Sequence, residues 1–245
     1  MGYSVILPTF NENNHIKDLI KSISDIFFSQ NILFEILVVD DNSTDGTRKT
    51  VDDFAKKNEY VKIINRNKKK KNLAKSIDEG IKSSNYDFVI WMDADFQHPP
   101  NYIIEFIKFS KEYNVIVCSR FLSESKRYFN DENINKKINE NQSYVYNKLC
   151  NFFLFKDLTD YTSGFICLKK DLLKNYSLRG YYGDYFVNLM VYLKRNEVNI
   201  LEIPFKDGLR ASGFSKTVVQ INFRYFHLCL RYFLVLVKNF FFSFF

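Results

Sequence analysis

The sequence predicts a doubly wound α/β domain, its sheet mainly parallel with helices on both faces, followed by an amphipathic C-terminal helix. Three observations predict it. Apolar runs of strand length alternate with amphipathic stretches of helix length over residues 1–120. The runs are apolar at nearly every position, which marks strands covered on both faces. Residues 220–245 instead gather their polar side chains on one helical stripe.

The elements follow in order. "YSVILP" (3–8) reads as a strand and 13–30 as an amphipathic helix, and "FEILVVDD" (34–41) with 44–58 repeats the pair. "YVKIINR" (60–66) with 72–84, and "DFVIWMDAD" (87–95) with 101–113, repeat it twice more. "NVIVCSR" (114–120) is a fifth strand. Residues 121–142 are polar, without apolar periodicity, and read as a mobile loop, with helix resuming over 143–154. Residues 160–173 read as turn, strand and helix start; a helix over 184–195, a strand over 199–205 and a loop over 206–216 follow. The chain thus divides into a domain over 1–216 and a helix within 217–245.

Composition narrows the function. With 46% hydrophobic residues and only eight Gly and four Pro in 245 residues, the chain can build a large core. A net charge of +7 calls for anionic partners: nucleic acid, nucleotide phosphates or an anionic membrane face. The four cysteines are scattered without a C-x-x-C, so neither a metal cluster nor a disulfide framework is signalled, and a reducing cytosol fits. No signal peptide is expected, because Met1-Gly2 leads straight into the first strand.

Three strand ends carry polar signatures: Pro8-Thr9-Phe10-Asn11-Glu12, Asp40-Asp41-Asn42-Ser43 and Asp93-Ala94-Asp95. Ligands of doubly wound sheets gather at the carboxyl ends of the strands, so these segments converge on one site. Two acids closing an apolar strand need water or a cation, and hard oxygen ligands suit magnesium or manganese better than zinc. Asp41 can accept hydrogen bonds from a base or ribose, although an acidic turn capping the next helix would look the same. His98 reads as a polar loop residue rather than a ligand. The run Lys68–Lys71 reads as a solvated loop, with a membrane-facing patch as the alternative.

Taken together, the motifs resemble family 2 glycosyltransferases, closest to the dolichyl- or polyprenyl-phosphate mannosyltransferase branch. The resemblance spans about residues 3–220. It rests on Pro8-Thr9-x-Asn11-Glu12, Val39-Asp40-Asp41-Asn42-Ser43-x-Asp45-Gly46-Thr47 and Met92-Asp93-Ala94-Asp95-x-Gln97-His98-Pro99-Pro100. Ser119-Arg120, Ser163-Gly164-Phe165 and Arg210-x-x-Gly213-x-Ser215-Lys216 complete it. It implies a GT-A-like fold and inverting, metal-dependent transfer of a hexosyl group, mannose from GDP-mannose, to a polyprenyl phosphate. It assigns Pro8, Phe10, Glu12, Asp41, Asp93 and Ala94 to the nucleotide sugar. Asp93, Asp95 and Gln97 would hold Mg2+ or Mn2+. Asp95, Arg120 and Asp184 are the catalytic candidates. Ser143, Ser163, Arg210 and Lys216 would serve the acceptor and its phosphate.

A phosphate acceptor explains what looks like a missing part. A sugar hydroxyl needs a general base, whereas a phosphate monoester, with a second pKa of about 6, is already largely ionised. The branch often places its acceptor-side acid where Asn188 stands here, with Asp184 the nearest carboxylate. The branch's Arg ahead of the Ser143-x-x-x-Asn147 helix is Asn139, with Lys136 and Lys137 nearby, and its usual Gly is Asn72. The competing readings are a UDP-sugar enzyme acting on a glycan or lipid hydroxyl, and a non-catalytic basic module binding membrane or nucleic acid. The acids Asp93 and Asp95 argue against the last, so nucleic acid is not an expected partner.

Gln220, Arg224, His227, Arg231 and Lys238 fall within a narrow arc at 100° per residue, opposite a wide apolar face. This is the pattern of an interfacial helix, with a core-packing helix as the alternative. The expected location is the cytoplasmic face of a membrane, held peripherally or monotopically.

Overall fold

A computed structural model describes residues 1–67, 71–123, 125, 134–180, 183–208 and 223–241. Seven strands form one sheet: β1 (Gly2–Thr9), β2 (Leu33–Asp40), β3 (Val61–Asn65), β4 (Phe88–Trp91), β5 (Val115–Ser119), β6 (Ile166–Lys169) and β7 (Ile200–Pro204). Their order is β3-β2-β1-β4-β6-β5-β7. All neighbours run parallel except β6, which is antiparallel to both β4 and β5. The residues of β1, β2, β4, β5 and β6 are almost wholly buried, as their apolar runs require, whereas the edge strands β3 and β7 are partly exposed.

Two layers of helices close the core. On one face lie α1 (Ile16–Ser29), α2 (Thr47–Ala55) and α4 (Tyr102–Phe109), packing Leu19, Ile23, Val51 and Phe106 against Val5, Ile36 and Ile90. On the other lie α3 (Leu73–Ser83), α5 (Ile134–Phe153), α6 (Asp184–Arg195) and α7 (Phe223–Phe241). There Ile77, Cys150, Leu189 and Leu236 meet Ile6, Val39 and Trp91. Alternate residues of β1 and β2 serve opposite layers, as the two-residue strand period demands.

Two expectations need correction. Strand β4 stops at Trp91, so Asp93 and Asp95 stand on the following loop, not within a strand over 87–95. Off the strand, alternation of side chains no longer forces the two acids apart. Helix α5 begins at Ile134, so residues 134–142 are helical and not loop. Their Lys, Glu, Gln and Asn residues carry no apolar stripe, but a helix needs one only where it is packed. Helix α6 has the expected bounds.

Helix α7 divides its surface. Leu236 and Asn239 are buried against the domain, whereas Leu230, Phe233, Leu234 and Phe241 are exposed. Phe240 meets Phe153 of α5 edge to face at 5.4 Å, and Tyr232 meets Tyr146 at 4.8 Å. The helix packs on one side, as the core-packing alternative expects, and keeps apolar side chains exposed on the other. Among the described residues no helix is long and apolar enough to cross a membrane.

Candidate active site

Strand order reverses at β1, with β2 on one side and β4 on the other, and the crevice opens at their carboxyl ends. The ends are level: Asp41 N–H donates to Thr9 O at 2.8 Å, and Arg66 N–H to Asp40 O at 2.8 Å. All three polar signatures meet there. The loop after β4 is built around a buried imidazole. Asp93 N–H donates to His98 Nδ1 at 2.9 Å, and the His98 ring stacks on Phe165 with centroids 4.7 Å apart. Burial lowers the His98 pKa to about 4, leaving it neutral and able to accept that bond. His98 shapes the loop. Phe96 takes φ +66°, and Asp95 Oδ1 accepts Gln97 N–H at 3.0 Å, closing a tight turn with Ala94 buried beneath it.

Among the described residues no three His, Cys, Asp or Glu side chains gather closely enough to hold a metal by themselves. A divalent ion at Asp93 and Asp95, with Gln97 beside them, would draw the rest of its shell from ligand phosphates and water. Magnesium and manganese bind this way; structural zinc does not. The donor set fits.

The segments around Asp41 and Glu12 are held from within. Asp41, buried, accepts Asn72 N–H at 2.7 Å and lies 2.8 Å from the guanidinium of Arg66. Arg66 also reaches Glu79 at 3.1 Å and Ser76 Oγ at 2.8 Å. Asn72 caps α3, its side chain accepting Lys75 N–H and donating to Gly180 O at 3.0 Å. An Asn replaces the expected Gly because it does this capping; its φ is −158°, not left-handed. Glu12 sits 2.9 Å from His15 Nε2 and its N–H donates to Thr47 Oγ1 at 2.9 Å, locking the turn that carries Pro8 and Phe10. Lys71 is exposed on a loop, as expected, and its ammonium lies 3.2 Å from the Phe10 ring centroid. Lys68–Lys70 lie outside the described residues.

Arg120 belongs to a second network. Arg120 does not project freely into the mouth. It grips the fully buried Asp160 bidentately, Nε to Oδ2 at 2.8 Å and Nη2 to Oδ1 at 2.9 Å, and reaches Thr162 Oγ1 at 2.8 Å. Burial works against both charges, yet each holds the other ionised: the carboxyl is lowered and the guanidinium raised. Thr162 Oγ1 also meets Asn147 Nδ2 at 2.8 Å and Ser143 Oγ at 3.2 Å, so the Ser143-x-x-x-Asn147 pair lines this wall. Glu202 of β7 accepts Thr159 N–H and Asp160 N–H at 2.8 and 2.9 Å, fixing the turn that presents Asp160. The Ser163 hydroxyl turns inward to the Cys118 carbonyl.

Asp184 is buried at the start of α6, 3.0 Å from the Arg231 guanidinium of α7. Asn188 is a structural tie: it donates to the Arg179 and Asp184 carbonyls and accepts from Asn239. Arg210 and Lys216 lie outside the described residues. Gly208, the last described residue before them, donates its N–H to Gln97 O at 2.9 Å. Sequence reasoning missed Arg66, Asp160 and Arg231 as partners. The one available signal was Arg66 closing the apolar run of β3; Asp160 and Arg231 carried none.

Comparison with known proteins identifies the family and the fold. The family model for glycosyl transferase family 2 matches residues 4–177. A dolichol-phosphate mannosyltransferase of Pyrococcus furiosus is 29% identical over 226 residues, 92% of this chain and 62% of that protein. This chain therefore spans about three-fifths of that relative's length. A protein of the same name from Mycosarcoma maydis is 27% identical over 91% of this chain and 76% of its own. The crystal structure of Mycobacterium tuberculosis glucosyl-3-phosphoglycerate synthase with Mn2+ and UDP-glucose superposes with a TM-score of 0.67 at 16% identity. That match covers 97% of this chain and 78% of the synthase, a likeness of fold. With the fold of the GT-A type and the family model covering most of the domain, the chain belongs to glycosyl transferase family 2.

Proposed function

We propose that this glycosyltransferase moves mannose from GDP-mannose to a polyprenyl phosphate, with inversion, at the cytoplasmic face of a membrane. The observation that carries the acceptor class is the pairing of Asp184 with Arg231. A hydroxyl acceptor needs a carboxylate aimed at its proton; this one is buried and faces a guanidinium. An ionised phosphate needs cations and alignment instead. The names of the two relatives support the same reading.

Phe10, Pro8, Glu12 and Asp41 would seat the nucleoside, Asp41 accepting an N–H of the base. Asp93, Asp95 and Gln97 would hold Mg2+ or Mn2+, which stabilises charge on a departing diphosphate. An acceptor phosphate oxygen attacks the anomeric carbon as the bond from that carbon to the donor's phosphate oxygen breaks, and GDP leaves. No proton changes hands. Arg120 shapes the acceptor wall through Asp160 and Thr162, while Arg210 and Lys216 supply cations for phosphate. The exposed Leu230, Phe233, Leu234 and Phe241 of α7, with exposed Lys238 beside them, would rest on the lipid surface.

A panel of nucleotide sugars assayed against dolichyl phosphate and against glycan hydroxyls tests the reading. GDP-mannose with dolichyl phosphate is the expected productive pair. Turnover confined to a UDP-sugar and a hydroxyl would overturn it. Asp95→Asn is expected to lose turnover with its thermal unfolding unchanged, and an excess of chelator to do the same to the unaltered enzyme.

A further inference from the structure

The start of α6 is a junction. Asn72, whose N–H holds Asp41, donates its side chain to Gly180 O. Tyr185, one residue into the helix, accepts Trp91 Nε1–H at 3.1 Å beneath the Asp93 loop. Asp184 faces Arg231, and the Tyr232 hydroxyl presses on Gly183, where any Cβ would collide with it. Further along, Asn239 binds Asn188 at 3.0 Å and its carbonyl accepts from Arg195. Helix α7 is thus fastened along α6, and its first tie lies one residue from the tyrosine that supports the catalytic loop.

That tie is an odd choice if its purpose is adhesion. The Asp184 side chain is 2% exposed and that of Arg231 28%. An ion pair this deep holds two helices no better than an apolar pair of similar size, because both charges leave water. What it adds is direction: a guanidinium and a carboxylate lock one geometry where aliphatic side chains would slide.

We propose that Arg231 is a positioning residue for the acceptor: acting through Asp184, it fixes the first turn of α6 so that α7 and the acceptor wall keep one register. The inference rests on the phosphate-acceptor reading above. The link to the acceptor wall is Tyr146, next to Asn147 on α5, whose hydroxyl donates to Tyr232 O at 3.0 Å, one residue from Arg231; Asp41 is held by Arg66 and the Asn72 amide, bonds made away from that contact.

The double variant Asp184→Asn with Arg231→Gln removes both charges of the tie together and keeps the packing of Tyr232, Leu236 and Phe240. In the full chain on anionic vesicles, its KM for dolichyl phosphate should rise about tenfold, as expected for a misplaced binding wall, while its Kd for GDP stays within about twofold. Arg231→Lys, which keeps the charge, should recover part of the loss. A double variant with an unaltered acceptor KM would reduce the pair to a structural tie and overturn the proposal. So would a parallel loss of GDP affinity. Hydrogen exchange reads the tie without substrate: in the double variant the amides of Phe186 and Val187 should exchange about tenfold faster, with the Asn72 amide unchanged. Unaltered protection there would also sink it. Because that measurement needs no transfer, an unaltered enzyme that fails to glycosylate dolichyl phosphate counts against the acceptor reading alone.

Discussion

Gly208 has no room for a side chain. Its N–H reaches Gln97 O, and a Cβ would run into the Phe96 carbonyl oxygen, a backbone atom that cannot swing aside. Gly208→Ala should therefore push on the turn that carries Asp95. We expect a stability loss of about 1–3 kcal/mol in urea unfolding, and a higher metal concentration for half-maximal turnover. An unchanged metal requirement would show that the turn yields without moving its acids. At this scale the sequence was legible wherever an acid closes an apolar run, since such a group needs a reason to be there; Asp41, Asp93 and Asp95 were found so. Their neighbours were not. Arg120 and Asp160 are 40 positions apart and Asp184 and Arg231 are 47 apart, and a pairing over that distance leaves no local pattern.

The acceptor wall behaves as one element, built from the end of β5, the turn before β6 and the middle of α5. Its centre is the Asp160 carboxylate. Burial alone would raise its pKa, but Arg120 and the Thr162 N–H outweigh that and lower it below the ordinary value of 3.8. For an acid lowered by folding, the stabilisation is complete above its unfolded pKa and is lost as pH falls through the folded one. The native enzyme should thus keep this contribution down to about pH 4 and lose it below. Asp160→Asn should remove that acid-limb dependence and cost about 3–5 kcal/mol at pH 7, because Arg120 is left buried without its counter-charge. Denaturant midpoints at several pH values measure both; equal slopes in the two proteins would contradict the assignment. Among elements, α6 was legible to the residue because its apolar period starts just after Gly183 and ends with Lys194 and Arg195. The first turns of α5 were not, because a polar helical segment and a polar loop have the same composition.

For the whole molecule, the sequence reads α7 as an appendage, and the packing makes it a wall. Deleting it would bare Asp184 and uncover Tyr146 and Cys150, so truncation would confound anchoring with unfolding. The sharper test leaves its inner side alone. Phe233→Ser with Leu234→Ser on the exposed face should weaken flotation with anionic vesicles by at least about tenfold, with the melting temperature nearly unchanged. Raised salt should weaken what binding remains, through Lys238. Equal flotation of both proteins would refute a membrane role for this face. The reversed strand β6 bears on how the molecule is made. Strand β5 touches only β6 and β7, and β6 itself pairs with β4. A chain emerging from the ribosome can therefore complete β3-β2-β1-β4, and with it the nucleotide side, before β5 has any partner. Until residues 166–169 arrive, the apolar run Phe88–Trp91 is an open sheet edge, able to pair with a stranger. The stretch of synthesis between β4 and β6 is thus an interval in which the chain is exposed to aggregation.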